Sequence, residues 1–288
     1  MTLGTGSDLL ASFVDGRPSQ VVDVEDRGLA YGHGVFETFR VHKGDIIDLS
    51  LHLKRLRSGA SCLRLPVVPL HSIETELTQI ATEHQNCIVK LICTNGSGPR
   101  GYKPVPDTIR RLVYVYPLPS FPDQYYESGV NVTVCNTRLG VSPVAGTKHL
   151  NRLEQVLARG ELSEKDQEGL MLDQHHRVIE GTMSNVFCVR HGMLVTSALD
   201  QCGVAGVKRE RVIAWARELN VKVDFASVSL GELWECEEIF LTNSVIGIWP
   251  VAKVTSPGAV IGETVGKRWT RIGEMTKRFS EVINFWRD

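Results

Sequence analysis

A chain of 288 residues, 42% hydrophobic and 23% charged, has the composition of an ordinary soluble globular protein, long enough for one large domain or two of modest size. Its formal net charge of −1, with Lys and Arg dispersed, leaves no global field for nucleic acid or an anionic membrane, so neither is expected as a partner and any anionic ligand must be met by local groups. The opening "MTLGTGSDLLASF" lacks a basic segment and a long apolar core, no stretch approaches the ~20 apolar residues of a membrane span, and the seven cysteines are scattered without a C-x-x-C pair, so a cytoplasmic protein without disulfides or a metal site is expected.

In chain order, "SFVDG" and "SQVVDV" read as strands across a Gly-Arg-Pro turn, followed by the strands "GVFETFRV" and "DIIDLS" joined through Lys43-Gly44. Helical spacing takes over in "LSLHLKRLRSGASCL" and again in "HSIETELTQIATEH". The strands "CIVKLICT" and "RLVYVY" complete a smaller α+β domain over 1–116. Three prolines in "PLPSFPD" mark residues 117–123 as a linker to a larger domain over 124–288. That half opens on the strand "VNVTVC", carries the hairpins "GLMLDQHHRVIEG" and "NVFCVRHGMLVTS", and closes on helices such as "VKRERVIAWARELN". The fold class is α+β, with sheets on both sides of the linker.

Two segments bear on chemistry. In "NGSGPRG" (95–101), Gly96, Gly98 and Gly101 satisfy G-x-G-x-x-G after a strand, but Pro104 and Pro106 forbid the helix that should receive a pyrophosphate, and no carboxylate stands about twenty residues on. A nucleotide site is therefore disfavoured. In "SPVAGTKHLNRLEQVLARGEL" (142–162), Leu150, Leu153 and Leu157 suggest a buried helical stripe that puts Lys148 at or just before the first turn. A helix N-terminus disfavours ammonium and favours the neutral amine that attacks an aldehyde; the residues alone leave a solvated surface lysine as the alternative.

"KHLNRLEQVLA" resembles the lysine segment of the 4-amino-4-deoxychorismate lyases, pyridoxal-phosphate enzymes with the class IV aminotransferase fold. Further pieces match in family order: "DRGLAYGHGVFETFR", "HLKRL", "GSGPRGY", "EGTMSNVF", "GVAGVKR" and "TNSVIGIWPV". The resemblance implies a two-domain fold like that of D-amino-acid aminotransferase, and a homodimer. It implies that Lys148 bonds the cofactor aldehyde, that Glu180 faces the pyridine nitrogen, and that Arg55, the N–H groups of Val207 and Lys208, and Asn243 and Ser244 hold the phosphate. Arg100 would receive a substrate carboxylate, with Tyr102 beside it, and Thr38 would stand near the cofactor as a proton relay. The implied reaction converts 4-amino-4-deoxychorismate to pyruvate and 4-aminobenzoate, a folate precursor. Branched-chain and D-amino-acid aminotransferases share the lysine, the glutamate and the phosphate cup, so amino-group transfer is the alternative; a nucleotide-binding or non-catalytic module is a remote one.

Overall fold

The computed structural model describes residues 8–104, 109–257 and 264–287, so Pro106 lies outside the described residues. The chain divides into two compact units, residues 1–120 with 147–151, and residues 121–146 with 152–288.

The first unit contains β1 (Ala11–Val14), β2 (Arg17–Pro18), α1 (Arg27–Tyr31), β3 (Gly34–His42), β4 (Asp45–Ile46), α2 (Leu49–Cys62), α3 (Leu70–Glu83), β5 (Cys87–Thr94) and β6 (Arg110–Pro117). Among the described residues its strands form an antiparallel sheet in the order β2-β1-β6-β5-β3-β4. Two expected strands are shorter than the sequence suggests. "SQVVDV" contributes no strand: the ladder with β1 ends at Phe13 and Pro18, Ser19 N adds one bond to Ser12 O, and Val21 and Val24 are exposed. "DIIDLS" pairs only through Asp45 and Ile46 before α2 begins at Leu49.

Alternation along β3 divides the sheet into two faces. Val35, Phe39 and Val41 point into a core with Leu53, Leu56 and Ala60 of α2, Ile73, Leu77 and Ile80 of α3, and Val89, Leu91 and Cys93 of β5. Phe36, Thr38 and Arg40 occupy the opposite, partly open face.

The second unit contains α4 (Gln124–Glu127), β7 (Val130–Leu139), α5 (Leu153–Gly160), β8 (Glu168–Asp173), β9 (Arg177–Gly181), β10 (Asn185–Arg190) and β11 (Met193–Thr196). It continues with α6 (Val207–Glu218), β12 (Val223–Phe225), β13 (Val228–Ser229), α7 (Leu230–Glu235), β14 (Glu238–Asn243), β15 (Gly247–Pro257), β16 (Thr264–Arg268) and α8 (Glu274–Ile283). The sheet runs β12-β11-β10-β14-β15-β7-β8-β9-β13, and a further β10–β9 pairing returns the path to β10, so those strands close a ring. Val132, Leu170, Val186, Leu241 and Trp249 belong to its apolar core.

The segment Thr147–Asn151 departs from expectation: it belongs with the first unit rather than with the second half of the chain. Its backbone is the reason. Phe36 N donates to Lys148 O at 3.0 Å, Leu150 N donates to Gly34 O at 3.0 Å, and Val35 bridges His149. Lys148 is thus in extended chain beside β3, five residues before α5, and the helix-terminus argument does not apply to it. The buried leucine stripe is also corrected, since Leu153, Val156 and Leu157 are 69%, 64% and 55% exposed and only Ala158 of α5 is buried.

Candidate active site

On the open face of β3, Phe36 and Thr38 stand two residues apart and therefore side by side. The Lys148 ammonium lies 4.2 Å from the Phe36 ring centroid, which puts the amine on the face that carries Thr38. Gly34 makes this approach possible: a Cβ there would meet Cys93 O at 2.6 Å and Leu150 Cδ1 at 2.7 Å, so any side chain would push the lysine segment off the strand.

On the buried face, Glu37 joins a cluster that the sequence reading did not single out. Arg55 donates to it through Nε at 2.8 Å and Nη2 at 2.5 Å, and His52 Nδ1 lies 2.6 Å from Oε2. Glu37 and His52 are both 0% exposed. Burial pushes the Glu37 carboxyl up, but the Arg55 charge and the hydrogen bonds from Arg55 and His52 outweigh it and hold the pKa at about 2. Burial lowers His52 against the opposing pull of Glu37, so the imidazole is neutral and donates its Nδ1–H to a carboxylate that can only accept. Arg55 therefore has one edge of its planar fork committed to Glu37, which fixes the plane of the guanidinium. A legible signal existed, since His52 and Arg55 are three apart on one helix face and Glu37 is at a core-facing position of β3.

The glycine-rich loop after β5 is tied down rather than loose. Buried Arg27 donates to Gly101 O at 2.9 Å and to Tyr102 O at 3.1 Å, while Gly101 N donates to the Tyr31 hydroxyl at 2.9 Å. Thr94 Oγ1 donates to Asp26 and accepts from Gly96 N. Irregular backbone follows β5 through Pro104, without the helix that a dinucleotide fingerprint requires. The side chains of Arg100 and Tyr102 are exposed, the latter at 88%, with its ring edge-on to Tyr31.

In the second unit, Glu180 is buried near the end of β9, where its Oε2 accepts from Val204 N at 2.7 Å and its Oε1 lies 3.5 Å from Gln155 Nε2. Asn185 pairs in register with Glu180 on one side and Thr242 on the other, and its Nδ2 donates to Val204 O at 2.8 Å. The short run from Val204 to Gly206 thus links the Glu180 carboxylate to the start of α6. That start, which includes Val207 and Lys208, has Gly206 at its N-cap and so no side-chain cap from that position. A Cβ at Gly206 would lie 1.9 Å from Asn185 Oδ1. Thr242 Oγ1 is buried without a hydrogen-bond partner in the structure. Asn243 turns the chain after β14, accepting from Val245 N and Ile246 N at 2.8 Å and donating to Met183 O at 3.0 Å, and Ser244 follows in the same turn.

This donor set fits a phosphorylated cationic heterocycle: a carboxylate to face a protonated ring nitrogen, and an uncapped twelve-residue helix with a bare-backbone cap to receive an anion. Lys148, Thr38 and Arg55 are in the first unit; Glu180, Val207, Lys208, Asn243 and Ser244 are in the second. Among the described residues no cluster of His, Cys, Asp or Glu could hold a metal ion, and no helix is long and apolar enough to cross a membrane.

Comparison with known proteins identifies the family and the fold. The amino-transferase class IV family model matches residues 34–254. The chain is 32% identical to the aminodeoxychorismate lyase of Vibrio harveyi, covering 90% of this chain and 97% of that protein, and 28% identical to a D-alanine aminotransferase of Listeria monocytogenes, covering 93% and 92%. The crystal structure of 4-amino-4-deoxychorismate lyase from Pseudomonas aeruginosa superposes with a TM-score of 0.88 at 40% identity, covering 95% of this chain and 98% of that one. The Escherichia coli branched-chain amino acid aminotransferase has the same fold, with a TM-score of 0.81 at 22% identity. With the family model spanning most of its length and a relative 32% identical over 90% of it, the chain belongs to the class IV aminotransferase family.

Proposed function

We propose that this protein is a pyridoxal-phosphate-dependent 4-amino-4-deoxychorismate lyase, active as a cytoplasmic homodimer and releasing pyruvate and the folate precursor 4-aminobenzoate. The observation that carries the reading is the Lys148 amine lying against Phe36 on the face of β3 that also presents Thr38, in a chain 40% identical to a lyase of known structure.

Lys148 would bond the cofactor aldehyde. Glu180 would face the ring nitrogen, and Arg55, the Val207 and Lys208 N–H groups, Asn243 and Ser244 would hold the phosphate. Once bound, the cofactor supplies an electron sink for the carbanion at the amine-bearing carbon. Lys148, as a free amine, takes the proton from that carbon. Thr38 passes a proton to the departing enolpyruvyl oxygen, and the ring becomes aromatic as the C–O bond breaks. Arg100 orients one substrate carboxylate and Tyr102 adds a hydroxyl beside it. The apolar face of α5 formed by Leu153, Val156 and Leu157 supports the homodimer, because residues spaced three and four apart form one continuous exposed stripe that a second copy would cover.

Purified protein loaded with pyridoxal phosphate is expected to show a visible absorbance band that disappears in Lys148→Ala, and to release pyruvate and 4-aminobenzoate from 4-amino-4-deoxychorismate with no keto acid added. The likeness to D-alanine aminotransferase favours a second outcome: turnover only with 2-oxoglutarate, accompanied by amino-group transfer, would establish a transaminase instead.

A further inference from the structure

The segment after α8, Asn284 with the single 3-10 turn Phe285–Arg287, folds back onto the second unit, and Asn284 and Trp286 are both buried there. Asn284 stands in for a piece of strand. Its Oδ1 accepts from Ile248 N at 2.8 Å and its Nδ2 donates to Ile248 O at 3.0 Å. Ile248 is opposite Thr242 of β14, and its polar groups turn to the other edge of β15, where the ladder with β7 starts only at Val251 and Val130. The side-chain amide thus satisfies an N–H and a C=O that β7 does not reach.

Trp286 extends the contact. A Cβ at Gly247 would lie 2.0 Å from Asn284 Oδ1 and 2.7 Å from Trp286 Cζ2, so both side chains press against the end of the Asn243–Gly247 turn. The same indole meets the Lys208 ammonium, 4.7 Å from the ring centroid, and Lys208 is the second residue of α6. Arg287 anchors the segment, donating to Asp123 Oδ1 at 2.6 Å with its guanidinium carbon 3.6 Å from the Tyr126 ring centroid. The turn and the helix start are on separate elements, one closing the β14–β15 hairpin and the other following the Val204–Gly206 run. An anion shared between them needs its donors held within about 0.5 Å of the binding geometry, and Trp286 touches both.

We propose that Asn284 and Trp286 are positioning residues that clamp the Asn243–Gly247 turn to the start of α6 and so set the affinity for the phosphate monoester of the cofactor. The assignment rests on the reading that these two elements hold that phosphate.

The test titrates cofactor-free wild type, Asn284→Ala, Trp286→Leu and Trp286→Phe with pyridoxal phosphate and, separately, with pyridoxal, following the visible absorbance band. Pyridoxal keeps the aldehyde and the ring nitrogen but lacks the phosphate, so it reports on Lys148 and Glu180 without the cup. Asn284→Ala and Trp286→Leu are expected to keep the wild-type circular dichroism at 25 °C, to bind pyridoxal phosphate roughly tenfold more weakly, and to bind pyridoxal within about twofold of wild type. Trp286→Phe, which keeps an aromatic face toward Lys208, is expected to recover most of the phosphate-dependent affinity. Unchanged pyridoxal phosphate binding in both Asn284→Ala and Trp286→Leu overturns the proposal. Equal loss for the two ligands, or loss of the native circular dichroism in both variants, marks an ordinary packing segment and also overturns it. A wild type that binds pyridoxal as tightly as pyridoxal phosphate refutes the phosphate reading of the two elements, and one that binds neither refutes the cofactor reading; each takes the clamp with it.

Discussion

Replacing Glu37 by Gln would leave the Arg55 guanidinium and the His52 Nδ1–H facing a neutral amide inside a core where Glu37 and His52 are fully buried and the Arg55 side chain is 14% exposed. Holding the carboxyl at about 2 instead of 4.5 corresponds to roughly 3 kcal/mol of stability. The lower end of the ~3–5 kcal/mol cost of removing one partner from a buried ion pair agrees. The folded pKa is depressed, so this contribution is fully present above pH 4.5 and is lost as the pH falls toward 2. Cofactor-free protein should therefore be used, to keep phosphate binding out of the measurement, and its thermal unfolding followed at neutral pH and at several values below 4.5. At neutral pH, Glu37→Gln is expected to lower the transition containing the first unit by on the order of 10 °C. The gap to wild type should narrow as the pH approaches 2. A loss below about 1 kcal/mol, or a gap independent of pH, would refute the reasoning, because a buried carboxylate with these partners could then be neutralised at no cost.

Gly206→Ala brings a methyl to 1.9 Å from the oxygen of an amide that is itself held by Val204, so a stability loss of ~1–3 kcal/mol and weaker pyridoxal phosphate retention are expected in a thermal melt and a cofactor titration. Arg27→Ala removes both donors from the carbonyls of Gly101 and Tyr102, and trypsin should then cut after Arg100 several-fold faster than in wild type, as judged by fragment mass. Leu157→Glu places a charge in the exposed apolar stripe of α5, and light scattering should report a shift from dimer toward monomer; an unchanged mass at micromolar concentration would mean that this face is not the contact between copies.

Much of the first unit could be read from the chain because its signals are local. The alternation in "GVFETFRV" puts Val35, Phe39 and Val41 inward, and the leucine and isoleucine spacing of α2 and α3 supplies the layer they pack against. The short reach of β2 and β4 was not legible, since strand length is set by available partners rather than by apolar content. The position of Lys148 was misread for a related reason: Leu150, Leu153 and Leu157 have helical spacing, but Leu150 is bonded to Gly34 in extended chain, while the other two are exposed on α5. Arg27 offered no signal at all, because the carbonyls it holds are more than seventy residues away in sequence.

The docking of Thr147–Asn151 against β3 has a consequence for biosynthesis. A nascent polypeptide that has emerged as far as Ser120 already holds all six strands and both long helices of the first lobe, yet its border at Phe36 is bare until another thirty residues arrive. Lys148 is therefore a late delivery to a scaffold whose strands have all been synthesised before it, so a truncated product ending at Ser120 would lack the amine proposed to capture an aldehyde.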